Sequence, residues 1–200
     1  LLHAGLRPLV GHWLLPESLP VAPTVSRVLV SVPHRGDTIS GLPKDSDQSH
    51  VLGLQNLISW LASSNTVHSA PTRLIYLSTT GVFGSSKPGE EVSETTPVSP
   101  TRPGPRIAVA AERLLAQNRQ RCPSVVLRLA GIYGPGRVPL IGLLKSGQPL
   151  PIPLEGLLNL IHVADAARAI GWLMMAENPR PLYLLSDGQP VKRGQFYRYI

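Results

Sequence analysis

The sequence predicts an α/β fold built on a doubly wound parallel sheet. Two observations carry this prediction: apolar segments of strand length, and amphipathic helical patterns between them. The clearest segments are RVLVSV at 27–32, LIYL at 74–77 and SVVLRL at 124–129. Strands that alternate with helices along a chain pair in parallel, and helices then cover both faces of the sheet.

The first strand and the helix after it are defined by residue pattern. Residues 27–32 are apolar and β-branched, and Pro33 with a Gly36-Asp37 turn signal ends them. Upstream, residues 7–13 form a candidate short strand before a Pro-broken connection. Residues 47–62 repeat apolar side chains every three or four positions, which predicts an amphipathic helix.

The second strand ends in hydroxyl side chains. Leu74 to Leu77 are continuously apolar, as expected of a strand that is covered on both faces. Ser78, Thr79 and Thr80 follow at its carboxyl end, where open α/β sheets bind ligands. The alternative is that these residues only form a turn, because Ser, Thr and Gly are common in turns.

The rest of the chain continues the alternation. A long loop rich in Pro, Ser and Thr is expected at 85–106, followed by a helix at 107–118, the strand at 124–129 and a glycine-punctuated turn at 130–136. Further elements are expected as a helix at 139–145, extended segments at 149–153 and 159–163, a helix at 165–175, a strand at 181–185, and a helix that begins before residue 200.

Composition limits the class of protein. The chain has 200 residues, which suits one domain, and a net charge of +7, which favours anionic partners such as a phosphate-bearing cofactor or a nucleic acid. The arginines are scattered without a dense basic run, so we expect no nucleic-acid partner. Cys122 is the single cysteine, which favours a reduced, cytoplasmic setting, and no apolar segment is long enough for a membrane partner.

The histidines predict no metal site, because no two of the six are spaced as metal ligands on a helix. His162 and Asp165 are three residues apart; we expect His162 to pack at a strand end and Asp165 to open the following helix. Tyr133 is expected to be structural.

Several segments together carry a resemblance to a known family: YLSTTGVFG, the acidic loop EEVSETTPVSP, AAERLL, VLRLAGIYGPG and NLIHVADAARAI. In this order and spacing, the chain resembles atypical extended short-chain dehydrogenase/reductases of the NAD(P)-dependent epimerase/dehydratase family. The resemblance implies a Rossmann-like domain over 1–200, with a small substrate-binding part at about 137–163 and 181–200. It also implies NAD or NADP as cofactor, a small carbonyl or hydroxyl substrate, nucleotide-sugar-like members included, and a possible homodimer.

The resemblance also implies roles for single residues. Thr79 matches the hydroxyl residue that hydrogen-bonds the substrate oxygen, and Ser78 or Thr80 could substitute for it. The residues expected beside the cofactor are Val32, Pro33, Leu77, Ala130, Gly131 and Ile132. Arg106 is a further candidate, since a guanidinium can bind phosphate bidentately, although a solvated position in the first helical turn is the alternative.

Two features depart from the family pattern. Its Tyr-x-x-x-Lys dyad would fall on Gly104 and Ala108, so the usual proton donor and its lysine partner are replaced. In addition, no strand in the chain leads into a G-x-x-G-x-x-G turn, and the chain does not begin with Met, so we expect its start to lie downstream of that fingerprint. The enzyme hypothesis therefore stands beside two alternatives, a non-catalytic binding or regulatory module and an incomplete gene product.

Overall fold

A four-stranded parallel sheet organises the computed structural model, which describes residues 5–32, 47–63, 72–84, 89–147, 149 and 153–199. In chain order the elements are β1 Arg27–Val30, α1 Asp47–Ser63, β2 Arg73–Thr79, α2 Pro103–Gln117, β3 Ser124–Leu129, β4 Gly131–Tyr133, α3 Ile141–Lys145, β5 Leu157–Leu158, β6 Leu160–His162, α4 Val163–Met175, β7 Leu182–Leu185, β8 Val191–Lys192 and α5 Arg193–Arg198.

The sheet has the order β1-β2-β3-β7, and every neighbouring pair in it is parallel. All six residues of β3 are buried, as expected of an interior strand with a helical layer on each face. The register sets Ser78 beside Arg128 and Thr79 beside Leu129. The α/β fold class and the parallel strands predicted from the sequence are confirmed.

Helices cover both faces of the sheet. Leu54, Ile58 and Leu61 of α1 share one apolar core with Ala111 and Leu115 of α2 and with residues of β2 and β3. Residues of α4 pack on the opposite face, against alternate residues of the same strands. Because side chains alternate between the faces of a strand, Tyr76 and Ser78 point toward the α1 and α2 layer.

Two of the element predictions that were wrong concern α2 and the segment at 130–136. The helix α2 begins at Pro103 instead of residue 107, because proline is well accommodated in a first turn, where its missing N–H has no intrahelical acceptor. The segment expected as a turn at 130–136 contains strand β4, whose Ile132 and Tyr133 pair in parallel with β6. The glycines predict a turn, whereas the strand depends on pairing with β6, which lies far along the chain.

The segment before β1 packs on α1 without forming the strand expected at 7–13. The Asn56 side chain donates a hydrogen bond to the Trp13 carbonyl, and the Trp60 indole donates one to the Pro20 carbonyl. Gly53 lies under the Trp13 ring, so that any larger side chain there would collide with the indole. The approach of this segment to α1 therefore depends on one glycine.

Past the carboxyl edge of the main sheet, the chain forms two small pairs, β4 with β6 in parallel and β5 with β8 antiparallel. Within the described ranges, no helix combines the length and apolarity that crossing a bilayer requires. The Gly36-Asp37 turn signal and most of the 149–153 segment lie outside the described residues.

Candidate functional site

A cleft of about 280 Å³ lies where the carboxyl end of β2 meets the first turns of α2. One wall is formed by Tyr76 to Thr79 of the strand, and the other by residues of α2 and Arg102, which immediately precedes it. Val32, just after β1, and His50 of α1 complete the lining. The cleft therefore occupies the edge of a parallel sheet where α/β proteins bind ligands.

Thr79 is positioned by the end of the strand and by a cap. Its Oγ1 accepts a hydrogen bond of 3.1 Å from the Gly81 amide and so opens the 3₁₀ helix Thr80–Phe83. A hydroxyl that accepts one bond still has its own proton to donate. Thr79 can thus act as a hydrogen-bond donor toward a molecule in the cleft.

Ser78 is committed to a buried charge network. Its Oγ donates a 2.6 Å hydrogen bond to Glu112 Oε1, and Arg128 reaches the same carboxylate through Nε at 3.2 Å and Nη2 at 2.7 Å. The sheet register makes this possible by placing Ser78 and Arg128 side by side below α2. Because its proton is used by Glu112, Ser78 is a supporting residue of the cleft wall.

The Glu112 and Arg128 side chains are only 11% and 7% exposed, so each charge needs the other. The guanidinium also lies over the Phe83 ring, at 5.1 Å from its centroid. Its Nη1 is buried without a hydrogen-bond partner among the described residues. The pair therefore contributes no net charge to the wall of the cleft.

A second buried pair lines the cleft: His50 Nε2 and the Tyr76 hydroxyl are 3.1 Å apart. The Trp13 ring packs edge-on against His50, with ring centroids 5.0 Å apart. Burial, and to a lesser degree the Glu112 charge, raises the pKa of Tyr76 well above its ordinary value. Tyr76 therefore keeps its proton at neutral pH and can donate it in a hydrogen bond.

This pair was not found from the sequence. The sequence pattern indicates Tyr76 only as part of an apolar strand, although it lies two residues before Ser78 and so faces the same side of the sheet. His50 lies four residues before Leu54, on the apolar stripe of α1. A histidine at a core-facing position was the available signal.

The wall contributed by α2 carries little polar chemistry. Gly104 and Ala108, the positions that the resemblance assigns to the tyrosine and the lysine, both line the cleft. A Cβ added to Gly104 would meet nothing within 4 Å. Arg102 lines the cleft with an exposed side chain. The space that a larger residue at 104 would enter is therefore open.

The other sequence-predicted residues differ in whether they line the cleft. Val32 and Leu77 line the cleft, whereas Thr80, Ala130, Gly131 and Ile132 are not part of its lining. Arg106 is also outside the lining: it is exposed and donates to the Thr101 carbonyl at 3.4 Å. Pro33 lies outside the described residues. The functional roles of all these residues stay predictions.

Near β6, the structure corrects one expectation. The helix α4 begins at Val163, so Asp165 does not open it as expected. The residue that caps α4 is His162, whose Nδ1 accepts a 3.2 Å hydrogen bond from the Ala164 amide. Asp165 pairs with Arg168, and the His162 ring packs edge-on against Tyr133. No cluster of three or more His, Cys, Asp or Glu that could hold a metal occurs in the part of the chain that the structure describes.

The chain is similar in sequence to a known protein family and to a curated protein. Residues 30–183 match the NAD-dependent epimerase/dehydratase family. The protein YeeZ of Escherichia coli strain K12 is 32% identical over 151 residues, which are 76% of this chain and 51% of YeeZ. The chain therefore spans about half the length of this curated relative.

Solved structures share the fold. A conserved protein of unknown function from Silicibacter pomeroyi is 31% identical, with a TM-score of 0.66, over 92% of this chain and 60% of its own. The RMD protein of Pseudomonas aeruginosa, solved in complex with NADPH, is 21% identical with a TM-score of 0.73, over 96% of this chain and 69% of its own. At that identity the second likeness concerns the fold alone.

Proposed function

The chain belongs to the NAD-dependent epimerase/dehydratase family, and from this premise we propose that its cleft binds the nicotinamide end of NAD or NADP together with a small carbonyl or hydroxyl substrate. The observation that carries the proposal is the position of Thr79. Its side chain lines a cleft at the carboxyl end of a central parallel strand, and Gly104 on the α2 wall leaves open space.

The residues present fit one end of such a cofactor. Pockets that enclose drug-sized ligands measure about 300–1,000 Å³. A cleft of about 280 Å³ therefore suits a ring and its adjoining sugar better than a whole dinucleotide. Hydroxyl donors inside and the exposed Arg102 guanidinium suit a ligand that carries hydroxyls and an anionic group.

When bound, the nicotinamide would supply or accept a hydride. Thr79 would donate a hydrogen bond to the substrate oxygen, which polarises a carbonyl without placing a charge in the site. Ser78 would keep this part of the strand in place through Glu112. Ile107, a buried apolar residue of the lining, would restrict access of water to the α2 wall.

A second candidate function is a binding module without catalysis. It is favoured by Gly104 and Ala108, because neither side chain can hold or transfer a proton at the α2 wall. This candidate shares the ligand with the first and differs only in turnover. The two are separated by following transfer of a deuterium label from the reduced cofactor to a panel of small aldehydes and ketones.

Calorimetric titration of the 200-residue chain with NADH and with NADPH tests binding. The blocking variant is Gly104→Trp, which fills the open part of the cleft. The matched control is Gly171→Trp on α4, where an added Cβ also meets nothing within 4 Å and the position is exposed.

We expect a heat of binding in the wild-type chain and in the control variant, and at least a tenfold weaker affinity in Gly104→Trp. The proposal fails if neither cofactor binds the wild-type chain, or if the two variants bind equally well.

A further inference from the structure

Three polar side chains of the cleft lining are already accounted for. The Ser78 proton goes to Glu112, and the Arg102 side chain is exposed to solvent. Thr79 has the role assigned above. Among the described lining residues, the remaining polar side chains are His50 and Tyr76, which hydrogen-bond to each other.

The Tyr76 hydroxyl has more hydrogen-bonding capacity than this one bond uses. A phenol has one proton to donate and lone pairs to accept. If His50 Nε2 donates, the Tyr76 proton is available to a carbonyl oxygen; if Nε2 accepts that proton, a Tyr76 lone pair is available to a ligand hydroxyl. In either arrangement Tyr76 therefore keeps one hydrogen-bonding function for an oxygen of a molecule in the cleft.

Packing fixes the orientation of the pair. Tyr76 and His50 are each 3% exposed, and Trp13 lies edge-on against the imidazole on a segment that is anchored to α1 by Asn56 and Trp60. A hydroxyl held in this way loses little side-chain entropy when it binds a ligand. Such preorganisation suits a binding group.

We propose that the His50–Tyr76 pair binds an uncharged hydroxyl or carbonyl oxygen of the molecule that occupies the cleft. The proposal names the ligand chemistry of the cleft and so rests on the proposed function.

The charge distribution favours an uncharged oxygen over a carboxylate or phosphate. Glu112 and Arg128 neutralise each other, so Arg128 is not available as a counter-ion. The Glu112 charge also disfavours negative charge at the Tyr76 hydroxyl, so an anion there would lose its hydration beside a carboxylate, which is costly. The exposed Arg102 is the group placed to receive an anionic part of the ligand.

The test observes the His50 ring directly, by nitrogen-15 NMR of the imidazole in the full 200-residue chain. The probes are dihydroxyacetone, which is uncharged and offers both oxygen types, and acetate, which is smaller and carries a negative charge. The variants are Tyr76→Phe, which removes only the hydroxyl, and Tyr183→Phe as control, since Tyr183 is outside the cleft and accepts from the Arg180 amide.

We expect dihydroxyacetone to shift the His50 Nε2 signal in the wild-type chain and in Tyr183→Phe, whereas Tyr76→Phe abolishes the shift and acetate causes none. A shift with acetate as large as that with dihydroxyacetone, or a dihydroxyacetone response that survives in Tyr76→Phe, overturns the proposal. So does the absence of any response in the wild-type chain.

A second measurement separates this proposal from the proposed function. Tyr76→Phe should weaken binding of the better nicotinamide cofactor by about five- to tenfold, the usual cost of one hydrogen bond. A chain that binds neither cofactor but shows the dihydroxyacetone response contradicts only the proposed function. A chain that binds cofactor equally well with and without the Tyr76 hydroxyl, and shows no response, contradicts only the present inference.

Discussion

The buried pair of Glu112 and Arg128 gives the sharpest prediction about stability. Removing one partner of such a pair leaves an uncompensated buried charge and typically costs about 3–5 kcal/mol. We therefore expect Glu112→Leu and Arg128→Met each to lower the free energy of unfolding by about 3–5 kcal/mol. Glu112→Leu has the additional effect of depriving the Ser78 hydroxyl of its acceptor.

The double variant should cost much less than the sum of the two single variants. When apolar side chains of similar length replace both residues, the protein loses the attraction between the two charges. It also no longer has to desolvate either charge, and the two effects offset each other. The coupling free energy between the two positions should be about 2 kcal/mol or more, because contacting residues in one network couple by up to about 3 kcal/mol.

Urea-induced unfolding followed by far-ultraviolet circular dichroism measures these free energies. The control is Arg168→Met, which breaks the Asp165–Arg168 pair, whose side chains are 44% and 79% exposed. Exposed pairs contribute about 0–1 kcal/mol, so this variant should differ little from wild type. Additive single variants, or a cost of Glu112→Leu no larger than that of Arg168→Met, would refute the role assigned to the network.

Three further predictions concern other parts of the chain. Gly84→Ala should destabilise by about 1 kcal/mol or more in urea unfolding, because Gly84 has φ +68° and an added Cβ would collide with the Ser99 carbonyl; a neutral effect would contradict that geometry. Cys122 is 4% exposed and burial raises the pKa of its thiol, so Ellman's reagent should label it slowly in the native chain and rapidly in urea, and equal rates would contradict its burial. Glu94 has a lowered pKa, chiefly because its own amide and that of Leu184 donate to its carboxylate. The contribution of the Glu94 charge to stability is therefore complete above its unfolded pKa and is lost as the pH falls through the lower folded pKa, so the stability difference between wild type and Glu94→Gln should vanish in acid.

The sequence predicted the elements whose signal is local. The strand at 124–129 and the helix at 47–62 agree with β3 and α1 to within one residue, because buried strands and amphipathic helices repeat at fixed periods. The strand β4 was missed because its pairing with β6 is made about 30 residues away in the chain, and no local pattern encodes such a contact.

The candidate site was predicted in part for the same reason. Thr79 follows a recognisable strand, so its place at the sheet edge could be derived. The contact between His50 and Tyr76 depends on how α1 lies across β2, and the contact between Ser78 and Glu112 depends on where α2 crosses. Predicting either contact requires the relative positions of a helix and a strand, and residue patterns do not determine those positions.

The most direct test of the central claim, that this cleft binds a nicotinamide cofactor, is an amide spectrum of the nitrogen-15-labelled chain with and without NADPH or NADH. We predict that the largest shifts fall on residues 76–81 and 102–108, on the two walls of the cleft, while α4 around Gly171 is unchanged. Shifts confined to other elements, or no shifts at saturating cofactor, would contradict the claim.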